Sequence, residues 1–142
     1  MFEAVKKHAA AQDWIFKSAA VADYTPSKYH DQKMKKKDDD LSVELSRTTD
    51  ILKYLGENRT RAQLICGFSM ETENMIENSQ KKLFSKNIDM ICANNLKVDG
   101  AGFGVDTNII TVITADSVTE LPLQSKESAA NAILDLAVNI KK

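Results

Sequence analysis

The sequence predicts an α/β fold in which helices cover both faces of a mainly parallel sheet. Three apolar runs of strand length alternate with segments of helical periodicity: Trp14–Ala20, "AQLICGF" and "IDMICAN". Strands that are buried on both faces read as nearly continuous apolar runs, and parallel strands need helical crossovers between them. We therefore expect a three-layer, Rossmann-like arrangement with the sheet in the middle.

The helices are predicted from apolar spacing and from their start signals. Phe2, Val5 and Ala9 share one face of a helix over Phe2–Ala11. Each later helix follows a threonine or serine that is suited to its N-cap. These are Thr48 or Thr49 before "DILKYLGENR", Thr72 before a helix that runs to about Lys86, and Ser125 before "AANAILDLAVNI".

Antiparallel additions to the sheet are predicted in two places. Leu41–Leu45 alternates apolar and polar residues, which indicates a half-exposed strand directly after a lysine run. "NIITVITAD" and "VTELPL" read as a hairpin with Ala115 and Asp116 near its turn. The fold class is thus α/β with a hairpin and one further exposed strand.

Composition restricts the class of protein. The 142 residues fit one domain, 1–142, and the net charge of -1 gives no general attraction to nucleic acid or to a membrane. No apolar run approaches the roughly 20 residues that span a bilayer, and the first residues lack the apolar segment of a signal peptide. Cys66 and Cys92 lie within apolar runs and are expected to be buried thiols, so a cytoplasmic setting is predicted.

Unusual residues follow each of the three predicted strands, in "AAVADY", "GFSMET" and "ANNLKVDGAGFG". Ligands of open α/β sheets bind beyond the carboxyl ends of the strands, so these segments are expected to share one edge. Small residues at Ser18–Ala20 permit close approach to the backbone, and lysines in Lys33–Lys37 attract phosphate. The combination favours a nucleotide site.

Each of these residues also has an explanation without a ligand. The lysine run can be a solvated loop, and Lys82 and Lys86 suit the dipole near the end of their helix. Asp50 is favourable in a first helical turn, Phe68 can belong to the core, and Asn94 can form a turn. Other chemistries have less support: His8 and His30 have no partners at triad or metal-ligand spacing, and no metal residues are predicted.

The order of these motifs resembles the phosphopantothenoylcysteine synthetase family, of the bacterial type. "AAVADYTP", "KMKK", "TTDIL", "GFSMET", "KKLFSKNIDMICAN" and "GFGVDTN" follow one another across nearly the whole chain. The resemblance implies a ligase of coenzyme A biosynthesis. A nucleoside triphosphate activates the carboxylate of 4'-phosphopantothenate as an acyl-nucleotide, and the amine of L-cysteine then displaces the nucleotide. The K-x-K-K segment implies CTP rather than ATP, with Mg²⁺.

The resemblance also assigns the candidate residues. Lys33, the first lysine of K-x-K-K, is implied in nucleotide binding and in turnover of the acyl intermediate, and Asn94 in substrate binding. Thr48 and Thr49 depart from the Asn-Pro that the family places before Asp50. The implied nucleotide contacts are Ser18, Ala19, Ala20, Asp23, Lys33, Thr49, Asp50, Ile51, Leu52, Phe68, Lys82 and Lys86.

Partners follow from the same resemblance. Family members are dimers, and Leu41–Leu45 is the expected subunit contact; a flavoprotein decarboxylase is a fused or separate partner. The family's domain begins with strands, a Gly-rich turn and an asparagine segment that precede the part matched here, so those strands are expected to be absent. We therefore expect these 142 residues alone to be inactive in ligation. The alternative is a non-catalytic nucleotide-binding or dimerisation module.

Overall fold

The computed structural model describes residues 1–35, 40–71, 73–95 and 104–140. Two compact units are distinguished: Met1–Ser18 together with Ile51–Lys142, and Ala19–Asp50. In chain order the elements are α1 (Phe2–Ala9), β1 (Trp14–Lys17), β2 (Tyr24–Pro26), β3 (Leu45–Arg47), α2 (Ile51–Glu57), β4 (Leu64–Glu71), α3 (Met75–Ser85), β5 (Met90–Asn95), β6 (Thr107–Asn108), β7 (Ile110–Thr114), β8 (Val118–Glu120), β9 (Gln124–Ser125) and α4 (Lys126–Ile140).

The first unit contains a five-stranded sheet in the order β1-β4-β5-β7-β8. β1, β4 and β5 are parallel neighbours, with Trp14 opposite Leu64 and Cys66 opposite Met90. β7 and β8 add an antiparallel hairpin at the β5 side. The prediction of a mainly parallel sheet with a late hairpin is confirmed.

Side-chain alternation along the strands separates the two faces of this sheet. One face packs against α4 in a cluster that includes Leu64, Cys66, Met90, Cys92 and, from the helix, Ile133. The two cysteines are buried, as predicted, and their sulfur atoms lie 3.6 Å apart. This face forms the larger apolar core.

The opposite face carries α2 and α3. Gly67 leaves room for α2, since a Cβ at this position would lie 2.5 Å from Cδ2 of Leu52. Ser79 of α3 is buried and its Oγ lies 2.9 Å from that of Ser69 on β4. α1 joins α2 through an edge-on contact of the rings of Phe2 and Tyr54, 4.9 Å between centroids. Helices thus cover both faces, which confirms the three-layer arrangement.

Several predicted element boundaries were wrong. α1 ends at Ala9, β1 ends at Lys17, and α2 begins after Asp50, which therefore precedes the helix. α3 begins at Met75 after Asn74, whose left-handed conformation (φ 47°) sets the helix start; Thr72 lies outside the described residues. Apolar spacing continues past these points, but the backbone hydrogen bonds that define an element do not.

The predicted turn and the last predicted cap are confirmed. Ala115 and Asp116 connect β7 to β8, and the Thr114 N–H donates to the Ser117 carbonyl at 2.9 Å. Oγ of Ser125 accepts a hydrogen bond from the Ser128 N–H at 3.1 Å, which satisfies one of the free donors in the first turn of α4.

The second unit, 19–50, is a short antiparallel ribbon of β2 and β3. The predicted strand Leu41–Leu45 was wrong in extent, because β3 begins only at Leu45, opposite Pro26. Proline has no N–H to donate to a partner strand. Beyond Pro26, the Ser27 N–H donates to the Glu44 carbonyl at 2.9 Å. Thr48 does not cap α2: its hydroxyl donates to the Ala22 carbonyl at 2.6 Å within this unit.

Among the described residues, helix length and hydropathy exclude a helical membrane span.

Candidate functional site

The candidate site begins where β1 ends and β4 continues. Lys17 is the last residue of β1 and lies opposite Gly67, whereas Phe68–Glu71 extend further and pair only with β5. Because β1, β4 and β5 are parallel, their carboxyl ends lie at one edge of the sheet. The predicted convergence of three strand ends is therefore confirmed within the first unit.

A groove of about 520 Å³ opens at this edge, on the α4 face. Two predicted site residues, Ser18 and Phe68, line it together. Phe68 is 40% exposed, so its side chain is not simply part of the core. The remaining lining residues are Phe16, Asn108, Ile110, Lys126, Ala129, Ala130, Ile133 and Leu134. An apolar groove with a few polar groups is typical of small-molecule sites.

Asn94 lies on the same face of the sheet as this groove. It is paired in register with Met70 on β4 and with Ile110 on β7. Its Oδ1 is buried and has no hydrogen-bond partner among the residues that the structure describes. An unsatisfied buried oxygen is costly, so it indicates a donor from a ligand or from outside those residues. The neighbouring segment 96–103 lies outside them.

Lys82 lies on the other face, close to the same edge. Its Nζ is 2.5 Å from Oε1 of Glu71, the last residue of β4. The Glu71 side chain is 14% exposed and that of Lys82 is 44% exposed. The Lys82 side chain is therefore partly exposed while its ammonium group is paired at the end of a strand.

Lys86 occupies a different position. It follows the last turn of α3, and because β4 and β5 are parallel, this helix runs from the carboxyl edge back to the amino edge. The Lys86 carbonyl there lies directly beside Gly56 at the end of α2. The backbone of Lys86 is thus remote from the strand ends, and its predicted nucleotide contact depends on the reach of its long side chain.

The remaining predicted residues are divided between the two units. Ile51 and Leu52 begin α2 with buried side chains, so any contact with a nucleotide would involve their backbone. The other residues belong to the second unit, and their contribution to a common site remains a prediction. These are Ala19, Ala20, Asp23, Lys33, Thr49 and Asp50; Lys36 and Lys37 lie outside the described residues.

Within the part of the chain that the structure describes, the pKa values of Cys66 and Glu77 are clearly shifted. A hydrogen bond with the Cys92 thiol and burial raise the pKa of the Cys66 thiol far above its ordinary value, so Cys66 remains a neutral core residue. On the surface of α3, a hydrogen bond from Lys81 lowers the pKa of Glu77. The Cys66 thiol is thus buried within β4, and the Glu77 carboxylate is paired with Lys81 on the exposed surface of α3.

The sequence indicated neither the α4 wall of the groove nor the role of Glu71. Lys126, Ala129 and Ala130 follow none of the three predicted parallel strands, and they reach the groove because α4 packs back over the sheet. Glu71 stands in the "GFSMET" segment, but its partner Lys82 is eleven residues away, a spacing that no helical or strand repeat predicts. Both features depend on tertiary packing.

The unit is thus an α/β domain whose groove lies at the carboxyl edge of its parallel strands, the place where open α/β sheets bind their ligands. The family model described as "DNA/pantothenate metabolism flavoprotein C-terminal domain" matches residues 1–140. The chain belongs to this family, and the resemblance to the synthetase family is thereby confirmed.

Individual relatives agree with this assignment. The chain is 46% identical to the Coenzyme A biosynthesis bifunctional protein CoaBC of Bacillus subtilis (strain 168), over 100% of this chain and 35% of that protein. A crystal structure of the C-terminal domain of a CoaBC has a TM-score of 0.74 and 44% identity, covering 95% of this chain and 60% of that one.

A third comparison supports the fold alone. The DNA/pantothenate metabolism flavoprotein from Streptococcus pneumoniae has a TM-score of 0.76 but 20% identity, and covers 94% of this chain and 66% of that one. By comparison with the curated B. subtilis relative, the chain spans about a third of that protein's length.

Proposed function

We propose that this chain is the nucleotide-binding part of a ligase of coenzyme A biosynthesis that joins 4'-phosphopantothenate and L-cysteine at the expense of CTP. The observation that carries the proposal is the carboxyl edge of the parallel strands, where Ser18 follows β1, Phe68 lies on the part of β4 that extends beyond β1, and the Lys82 ammonium is paired with Glu71 at the end of β4. The name of the 46% identical relative supports the pathway. A fused or separate flavoprotein decarboxylase belongs to the same proposal.

The chemistry explains why cations are needed at this edge. A carboxylate is a poor electrophile, so its oxygen first attacks the α-phosphate of CTP, and the bond to pyrophosphate breaks. The cysteine amine then attacks the acyl carbon, an amide forms, and CMP leaves with the bonding electrons. Negative charge accumulates on phosphate oxygens in the first step, and an ammonium held nearby stabilises it. Lys33 and Lys82 are proposed for this role, with Lys86 as a further contact.

In this proposal Mg²⁺ accompanies the phosphates of CTP. Among the described residues, no group of three or more His, Cys, Asp or Glu side chains is arranged to hold a metal ion. Mg²⁺ commonly keeps several waters and binds one or two carboxylates together with substrate phosphates. Mg²⁺ is therefore proposed to arrive with CTP, where it would neutralise phosphate charge beside the lysines.

Nucleotide binding is tested first by calorimetry with CTP and Mg²⁺. Lys82→Ala is expected to weaken binding about tenfold or more, since an ammonium about 4 Å from a phosphate contributes up to about 4 kcal/mol at an effective dielectric of 20. Lys81→Ala is the matched control, because Lys81 is exposed and pairs with Glu77 on the same helix. Equal affinity for the two variants would contradict the role of Lys82.

Lys33→Ala tests the second unit in the same way, and it is expected to weaken CTP binding more than cytidine binding. ATP in place of CTP tests the choice of base, with weaker binding expected. If neither the unmodified chain nor any variant binds a nucleotide, the alternative of a non-catalytic dimerisation module is favoured.

Ligation is tested by CMP release with phosphopantothenate, cysteine and CTP. The 142-residue chain is expected to show no turnover, because the family's asparagine segment for the acyl intermediate is not among its residues. A protein that also carries such an upstream segment is expected to turn over, and to lose turnover with Lys33→Ala. Robust ligation by the 142 residues alone would contradict the expectation that the reaction needs this asparagine segment.

A further inference from the structure

Two side-chain pairs fasten α3 to the end of β4. The hydroxyl groups of Ser69 and Ser79 lie 2.9 Å apart, and the second hydroxyl is fully buried. Two residues further along the strand, Oε1 of Glu71 accepts a hydrogen bond from Nζ of Lys82 at 2.5 Å. Ser69 and Glu71 both point to the face of the sheet that α3 covers, because residues two apart on a strand share a face.

The geometry of α3 explains why Lys82 needs such a partner. Lys82 lies in the last turn of the helix, which is nearer the amino edge of the sheet than the helix start is. Long side chains on a helix lean toward its N-terminus, so the Lys82 side chain extends back toward the carboxyl edge. Unpaired, its four-carbon chain would sample many rotamers. Glu71 holds the ammonium at the strand end.

The pair leaves Lys82 able to bind an anion. An ammonium has three N–H donors, and Oε1 of Glu71 accepts one of them. The Lys82 side chain is 44% exposed, so solvent reaches a large part of it. In contrast, the Glu71 side chain is only 14% exposed, so Glu71 is the more shielded member of the pair.

We infer that Glu71 is a positioning residue: it fixes the Lys82 ammonium at the carboxyl edge of the sheet so that the remaining N–H groups meet a nucleotide phosphate. This inference rests on the proposed nucleotide site. Two effects of the carboxylate oppose each other, since it orders the lysine but also reduces the positive field that a phosphate experiences. Positioning predicts that removal of Glu71 weakens binding, whereas charge reduction alone predicts that removal strengthens it.

The experiment is a double-mutant cycle on CTP affinity, measured by calorimetry with Mg²⁺ at fixed salt. Glu71→Ala is expected to weaken CTP binding about 3- to 10-fold, the range for the loss of order in one long side chain. Glu71→Gln keeps an acceptor oxygen and is expected to weaken binding less. In a Lys82→Ala background, Glu71→Ala is expected to change CTP affinity by less than twofold, because its effect passes through Lys82.

Two controls separate positioning from structural damage. Glu77→Ala removes an exposed carboxylate that pairs with Lys81 on the same helix, and is expected to leave CTP affinity unchanged. Cytidine, which has no phosphate, is expected to bind the Glu71 variants and the unmodified chain equally. If Glu71→Ala does not fold, the same cycle is measured with Glu71→Gln. Glu71→Gln is then expected to weaken CTP binding when Lys82 is present and to leave it unchanged in the Lys82→Ala background.

The outcomes are distinct. Tighter or unchanged CTP binding by the Glu71 variants overturns the inference while the nucleotide site stands. Equal weakening with and without Lys82 also overturns it. Failure of the unmodified, folded chain to bind CTP overturns the proposed function itself, and the inference that rests on it.

Discussion

Gly56 is the position at which a single methyl group is expected to disturb the fold most directly. It lies buried in α2, and a Cβ added there would lie 1.7 Å from the carbonyl oxygen of Lys86 and 2.9 Å from that of Asn87. Cβ atoms do not approach a neighbour closer than about 3.0 Å, so the Lys86 carbonyl would have to move by 3.0 − 1.7 = 1.3 Å. Both neighbours are backbone atoms, which cannot rotate away.

The magnitude follows from three contributions. Overpacking costs about 1–3 kcal/mol, and a backbone clash of this depth lies at the upper end. Displacement also strains the hydrogen bond from Nδ2 of Asn87 to the Gly56 carbonyl, 2.8 Å long, which is worth about 1 kcal/mol. Alanine gains about 1 kcal/mol of helix propensity over glycine. The net loss expected for Gly56→Ala is therefore about 2–3 kcal/mol.

Urea unfolding followed by far-UV circular dichroism measures this loss. Gly67→Ala is the comparison variant, since its Cβ would meet Cδ2 of Leu52 at 2.5 Å, the tip of a side chain that can change rotamer. It is expected to cost less than Gly56→Ala. A Gly56→Ala protein that is as stable as the unmodified chain, or more stable, would refute the reasoning. The helix propensity of alanine would then outweigh the clash of its Cβ with the Lys86 carbonyl.

Two further predictions concern other parts of the chain. The pKa of the Cys66 thiol is raised in the folded state from an ordinary value of 9.0, so the unfolded state alone loses this proton as the pH rises. The stabilisation is complete below pH 9 and declines above it. Between pH 8 and 10 the free energy of unfolding is expected to fall by about 1.4 kcal/mol more than in Cys66→Ala, as measured by urea titrations; equal pH slopes would contradict this. In the second unit, the exposed Leu41 and Val43 are expected to form the subunit contact. Val43→Asp is expected to convert a dimer to a monomer in sedimentation equilibrium while Ser42→Asp does not; a dimer that survives Val43→Asp would exclude this contact.

The sheet could be predicted because the sequence of each parallel strand is sufficient to identify it as a buried strand. β4 and β5 are apolar at nearly every central position, as strands covered on both faces must be, and each precedes polar residues that mark its end. A parallel arrangement then followed from the helices between them. Burial of Cys66 and Cys92 followed from the same apolar runs.

The parts that could not be predicted depend on partners far away in the sequence. β3 begins at Leu45 because its partner strand ends at Pro26, and alternation within 41–45 contains no information about that pairing. Glu71 and Lys82 meet only because α3 lies across the end of β4. The α4 wall of the groove requires the register of the whole sheet. Local periodicity specifies which elements form, and packing specifies which of their side chains meet.

The last turn of α3 links the fold to the candidate site. Lys82, in that turn, is paired with Glu71 at the carboxyl edge of the sheet, and the carbonyl of Lys86, one turn further along the chain, lies beside Gly56. The Lys86 N–H donates to the Lys82 carbonyl at 3.0 Å, so a displacement of Lys86 is passed directly to Lys82. A shift of the Lys86 carbonyl in Gly56→Ala is therefore expected to move Lys82 relative to Glu71 and to weaken CTP binding. Replacement of Glu71 changes the ammonium position without that clash. Stability and nucleotide affinity should thus fall together for Gly56→Ala, whereas for Glu71→Gln affinity should fall with little loss of stability.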